Sequence, residues 1–258
     1  MNDIQPISIS GECNSHASAR AIAHSSYAGC LNGALVRLLD RKSPSAHERY
    51  VHDALRSFIV TADHPCLGAR AALNAGTYRF GTYRQIASVD VTAGLARDLC
   101  AFVAERPRMA TAYATFIAVF DRFDCSEREF EIKLWNQLQA LHDLDFASYD
   151  RNAPSDPDNP RFAFSFAGTA FFVVGMHPHS SRLARRFSLP AMVFNARSQF
   201  DVLRRRNLYG RFASVVRDRE IALQGSLNPN LDSGQERSEA RQYSGRAVED
   251  DWKCPFRP

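Results

Sequence analysis

The stretch Phe164–Phe187, FSFAGTAFFVVGMHPHSSRLARRF, constrains this chain more than any other. Its first half is an apolar run of strand length, bracketed by polar residues, which predicts a strand buried on both faces over Phe162–Val174. The run ends at once in Gly175-Met176-His177-Pro178-His179-Ser180-Ser181-Arg182. Two histidines, two hydroxyls and, with Arg185 and Arg186, three arginines therefore gather where a buried strand meets solvent. Sheets hold their ligands at strand ends, so chemistry is expected here first.

The rest of the chain predicts a mixed α+β domain. Tyr27–Asp40 carries Leu31, Leu35, Leu38 and Leu39 near one face and reads as an amphipathic helix. Ser43-Pro44-Ser45 announces a second helix, Ala46–Val60, and CLGARAALNAG a third, closed by Gly76. TYRFGTYRQI alternates as a strand does. Helices over Thr92–Glu105 and Glu127–Leu141 flank an extended TAYATFIAVFD, and PSDPDNP at 154–160 is a loop. Ser198–Arg206 and Leu208–Leu223 read as helices, with a loop-rich segment from Gly225 onward. This order implies a small sheet flanked by helices in one domain, 27–258, behind an irregular arm, 1–26.

Composition narrows the function classes. The 258 residues suffice for one large core. No apolar run reaches the roughly 18 residues that cross a bilayer, since Phe162–Met176 is short and carries Ser165, Gly168 and Thr169. The first residues, MNDIQPISISGEC, lack the basic and apolar regions of a secretory leader. Cysteines at 13, 30, 66, 100, 125 and 254 form no CxxC pair, so the expectation is reduced thiols in the cytoplasm. Net charge is only +4, but ten arginines fall between Arg182 and Arg219 against Asp201 and Asp218. Without interleaved stacking aromatics this excess does not predict nucleic-acid binding. It fits a solvated helical face, or cations that hold an anionic cofactor. The signatures GxGxxG, GxxxxGK[ST], HExxH and GxSxG are all absent, which leaves nucleotide, flavin, zinc-peptidase and hydrolase chemistry without support.

Several residues carry chemical promise. Cys66, in Pro65-Cys66-Leu67-Gly68, opens a predicted helix, where first-turn N–H groups and the helix dipole favour a thiolate. Gly68 permits close approach of a ligand plane, and His64 can hydrogen-bond a ligand carboxylate or cap the helix. Cys254, in Trp252-Lys253-Cys254-Pro255-Phe256, is a rival sulfur, although Pro255 removes one N–H that could reach it and a packed C-terminal plug is the simpler account. His177 is an acid/base or metal-ligand candidate, with the Ser181 hydroxyl in the same turn. Arg182, Arg185 and Arg186 at i, i+3 and i+4 share one helical face and suit paired carboxylates. Asn195 and Gln199 have the same spacing and suit a polar substrate. A cationic substrate needs a carboxylate, for which Glu239 is preferred over Asp201 and Glu236.

The motifs Phe164–Phe187, MVFNARSQFDVLR at 192–204, GSLNPNL at 225–231, SEARQYSGR at 238–246 and WKCPF at 252–256 occur in one order. Together they resemble the YqcI/YcgG family, over roughly Ser57 to the C-terminus. Characterised members include heme-dependent N-hydroxylases of arginine-type guanidino groups. The resemblance implies heme b and a small guanidino substrate, most simply L-arginine converted to its Nω-hydroxy derivative. It also implies dioxygen or peroxide, and an external electron donor because no flavin or nicotinamide signature is present. Cys66 would be the iron ligand, with His177 and Cys254 as alternatives. Arg182, Arg185, Arg186, His64 and Gly68 would hold the cofactor. A heme-binding or heme-sensing protein without catalysis is the rival reading.

Overall fold

A computed structural model describes residues 16–61, 63–109, 113–231 and 237–258. Cys13, Glu236 and residues 1–15 of the expected arm lie outside the described residues. The described chain holds seven α-helices and one seven-stranded sheet. In chain order these are α1 (Ala19–His24), β1 (Ala28–Leu31), β2 (Ala34–Arg37), α2 (Ala46–Ile59), α3 (Leu67–Ala75), β3 (Tyr78–Tyr83) and α4 (Val89–Glu105). They continue as β4 (Thr115–Phe120), α5 (Glu127–Leu144), β5 (Phe164–Phe166), β6 (Thr169–Met176), β7 (Ala191–Ala196), α6 (Arg197–Arg205) and α7 (Tyr209–Gln224). The sheet runs β2-β1-β3-β4-β7-β6-β5, and β3 and β4 are its parallel pair. The expected α+β architecture is present.

Helix ends follow their caps. Ser45 and Ser126 each accept from the third residue onward, while Glu48 and Glu129 reach back to the cap backbone, so α2 and α5 begin in reciprocal capping boxes. Gly76 ends α3 at φ 67°, a conformation that costs glycine nothing.

Alternation along the strands divides the core. Phe116, Ala118 and Phe120 of β4 pack with α4 and α5, through Leu95, Leu99, Phe102, Phe130 and Leu134. Ile117 and Val119 point the other way, with Tyr78, Phe80, Val51, Leu55 and Leu73 of β3, α2 and α3. Each fully buried large apolar side chain contributes about 1.5–3 kcal/mol. One buried acid ties the N-terminal hairpin to α4. Asp98 accepts from Ser26 N at 2.6 Å, Tyr83 Oη at 2.6 Å and the Ser25 hydroxyl, yet burial still raises its pKa to about 6.

Four expectations are corrected. Tyr27–Asp40 is not a helix but the β1–β2 hairpin, because Asn32 (φ 51°) and Gly33 (φ 82°) form a two-residue turn whose twist matches paired strands. Phe162–Val174 is not one strand, because Ala167 (φ 50°) and Gly168 (φ 68°) reverse the chain between β5 and β6. The expected arm, 1–26, is not irregular throughout, since Ser18 caps the short helix α1. Cys100 is disulfide-bonded while Cys30, Cys66, Cys125 and Cys254 are free. Reduced thiols throughout were expected, but pairing follows proximity in the fold rather than spacing in sequence. Among the described residues no helix is long and apolar enough to cross a membrane.

Candidate functional site

The α3 N-terminus, the C-terminal end of β7 and the α6–α7 hairpin meet around a cavity of about 180 Å³. Cys66, Gly68, Asn195 and Gln199, all singled out in the sequence, line it together. The remaining wall is apolar and aromatic, chiefly Tyr113, Phe172, Val174, Phe200, Phe212 and Val216. Sequence reasoning passed over these residues, because aromatic and β-branched side chains at helix and strand spacing look like ordinary core.

Local structure explains why Cys66 sits as it does. Its extended backbone makes it the N-cap of α3, and its sulfur accepts from Ala69 N at 3.4 Å. Burial raises the thiol pKa, opposed by the N–H groups of Ala69 and Gly68 and by the positive charge of Arg185. Burial thus favours the neutral thiol, while the two N–H groups and Arg185 favour the thiolate. His64 accepts from Cys66 N through Nδ1 at 3.3 Å, and its Nε2 is buried without a hydrogen bond that satisfies geometry. Burial lowers its pKa to about 4, with the Ala184 carbonyl opposing. Asn195, on β7, donates Nδ2 to the Phe172 carbonyl at 3.4 Å, which leaves its Oδ1 as an acceptor. Gln199 is buried in the first turn of α6.

The histidine turn belongs to a different neighbourhood. His177 is fully buried, stacked on Phe130 of α5 at 4.5 Å, with both ring nitrogens unpartnered. Burial lowers its pKa to about 4, against the pull of Glu127 and with the help of His179 and Arg185. His179 Nε2 lies 3.1 Å from Asp124, and Ser181 donates its backbone N–H and hydroxyl to Glu127 at 2.8 and 2.9 Å. The turn is thereby fastened to the start of α5, and neither His177 nor Ser181 lines the cavity.

The arginines do not form the expected helical face. Only Leu183–Arg185 is helical, as a single 3-10 turn, so the three side chains diverge. Arg182 is paired with Glu220 of α7 at 2.7 Å and donates to Ser226 and Leu227. Arg185 donates to the Gln242 and Tyr243 carbonyls at 2.7 and 3.2 Å, and burial lowers its pKa to about 10. Arg186 donates to the Ser180 carbonyl at 2.8 Å. Loop carbonyls without sheet or helix partners need donors, and these guanidinium groups supply them. Glu239 also lies apart from the cavity lining, 4.0 Å from Arg197 and 3.9 Å from Arg204. Asp201 pairs with Arg204 at 3.0 Å. Cys254 belongs to the packed C-terminal tail, where Trp252 meets Trp135 and Phe256 meets Phe162, and burial lifts its thiol to about 12. Among the described residues, no three His, Cys, Asp or Glu side chains converge as an all-protein metal centre.

Comparison with known proteins identifies the family of this chain. The YqcI/YcgG family model matches residues 55–257, and the chain belongs to that family. It is 28% identical over 175 residues to YcgG of Bacillus subtilis (strain 168), covering 62% of this chain and 69% of that protein. It is 29% identical over 139 residues to YqcI of the same organism, covering 52% of this chain and 55% of that protein. Both relatives are described as uncharacterized proteins. No solved structure matches the chain.

Proposed function

We propose that the chain is a heme-dependent monooxygenase that N-hydroxylates a guanidino group, most simply that of L-arginine, with Cys66 as the iron ligand. The observation that carries the reading is the Cys66 sulfur, held at a helix N-cap by backbone N–H donors, facing an aromatic-walled cavity. The sulfur suits an iron, whereas among the described residues the lining offers no cationic side chain to a cofactor's carboxylates. A bound iron would add a cation to the charge of Arg185 already felt by this thiol, and N–H donors to sulfur are how a protein tunes a thiolate ligand. Flat aromatic side chains suit a porphyrin face. The cavity is below the about 300–1,000 Å³ usual for ligand pockets, so accommodation asks the α6–α7 roof to move outward. In that roof α7 has no fully buried side chain over its 16 residues, although Arg219, Glu220 and Gln224 tie its C-terminal half to the rest of the chain.

When bound, heme would activate oxygen for insertion at an N–H bond. This chain's own residues exclude water through Phe172, Phe200 and Phe212, and offer the amide groups of Asn195 and Gln199 to a polar substrate. A guanidinium carries five donors and no acceptor, so the Asn195 and Gln199 oxygens would be the amide acceptors available to it. Glu239, expected in that role, is instead set against two arginines.

One observation favours the rival reading, a heme-binding protein without guanidino turnover: among the described residues no carboxylate lines the cavity. A titration of the purified, heme-loaded chain with L-arginine separates the two. The proposal expects a saturable shift of the Soret band, and a band indifferent to every guanidino compound overturns the substrate assignment.

A further inference from the structure

Gln199 lies in the first turn of α6 and is only 8% exposed. Its side-chain amide lines the Cys66 cavity and, among the described residues, has no hydrogen-bond partner. Buried amides are matched as a rule, because an unmatched donor or acceptor loses its hydration and gains no bond. Asn195 adds an open acceptor to the same cavity, since its Nδ2 is engaged with the Phe172 carbonyl at 3.4 Å and its Oδ1 is not. The Thr115 hydroxyl, also in the lining, is spent on the Phe194 carbonyl at 3.2 Å. A larger polar cavity of about 260 Å³ beside α2 differs, because there Glu48 is already bonded to Ser26 and Arg37, at 3.2 and 2.7 Å. The open hydrogen-bonding capacity of the Cys66 cavity therefore awaits a ligand.

The rest of the wall sets charge and shape. Among the described residues no Asp, Glu, Lys, Arg or His lines the cavity. Arg185, whose charge reaches the Cys66 sulfur, lies outside the lining and donates to the Gln242 and Tyr243 carbonyls. An ion brought here would lose hydration with no opposite charge to replace it, so uncharged molecules are favoured. Phe172, Phe200 and Phe212 offer apolar faces to a flat molecule. An apolar cavity of about 150 Å³ holds benzene, so about 180 Å³ suits one six-membered ring with a small substituent. We propose that this cavity is a binding site for a small, uncharged, planar amide, an aromatic or unsaturated ring that carries a carboxamide. A carboxamide presents a donor and an acceptor side by side, as Gln199 does, so the two pair head to tail. Its second N–H is left for the Asn195 Oδ1. The inference goes beyond the heme reading and needs no iron. A cavity of this size does not hold both groups, so heme and the amide are alternative occupants.

The test is a calorimetric titration of the full chain, purified without added heme, with benzamide, acetophenone, benzoate and benzamidine at neutral pH. These four share one ring and nearly one shape. Acetophenone lacks the N–H donors, benzoate is an anion and benzamidine a cation. Benzamide should bind with a dissociation constant of about 1 mM or tighter, and each of the others about tenfold or more weakly. Gln199→Met keeps the length of the side chain and removes its amide, so benzamide should lose its advantage over acetophenone. Should that variant not fold, the four wild-type affinities decide alone. No binding of benzamide, or either ion binding as tightly as benzamide, overturns the inference. So does a folded Gln199→Met that still prefers benzamide to acetophenone. A chain that never takes up heme overturns the functional reading above and leaves a positive benzamide result standing, so the two fail separately.

Discussion

The guanidinium of Arg182, in the turn after β6, lies 2.7 Å from the carboxylate of Glu220 on α7, and both side chains are largely buried. Arg182 also donates to the Ser226 hydroxyl and to the Ser226 and Leu227 carbonyls, so one residue fastens the end of the cavity roof. Removing one partner leaves a buried charge uncompensated, at a cost of about 3–5 kcal/mol. Arg182→Ala should lower unfolding stability by about that amount and raise hydrogen exchange in α7 before other helices. Unchanged protection of α7 would show that the pair does not hold the roof.

Gly175 stands where β6 passes α5 and the C-terminal segment. A Cβ there would come within 2.7 Å of Leu134 Cδ1 and Phe130 Cε1 and 2.9 Å of the Tyr243 carbonyl. Overpacking of this kind costs about 1–3 kcal/mol. Gly175→Ala should therefore lower the denaturant midpoint and disturb the Phe130–His177 stack. A variant as stable as wild type would mean that the gap closes without strain.

His177 makes acid stability predictable in sign. Its folded pKa, about 4, lies below the unfolded value near 6.5, so the unfolded chain takes up the proton first. Its contribution is full above about pH 6.5 and is lost as pH falls toward 4, for about 3 kcal/mol in all. Glu127, His179 and Arg185 are the charges that face it. His177→Phe keeps the stack on Phe130 and removes two unpartnered nitrogens, so its urea stability should vary less with pH than that of wild type. Parallel pH profiles would contradict the buried neutral histidine.

Most helices were legible because their ends are written locally. Ser45 with Glu48 and the terminal Gly76 mark boundaries that tertiary packing leaves intact. The β1–β2 hairpin was not, because Leu31, Leu35, Leu38 and Leu39 mimic helical spacing while Asn32-Gly33 turns the chain. Cys66, Gly68, Asn195 and Gln199 could be chosen by residue type and motif, yet only the fold brings α3 beside β7 and α6. The histidine turn drew attention through its composition. The polar groups of His179 and Ser181 are spent on Asp124 and Glu127, partners that lie 55 and 54 residues earlier. The carbonyl partners of Arg185 were hidden for a similar reason, since they lie 57 and 58 residues onward.

The most direct measurement is the carbon monoxide difference spectrum of the ferrous, heme-loaded chain in wild type, Cys66→Ala and Cys254→Ala. Cys66 faces the cavity with its sulfur held by α3, whereas Cys254 is packed in the C-terminal tail. The account predicts a thiolate-type spectrum in wild type and Cys254→Ala, and its loss in a folded Cys66→Ala. A wild-type spectrum retained by Cys66→Ala would contradict the assignment of Cys66 as the ligand.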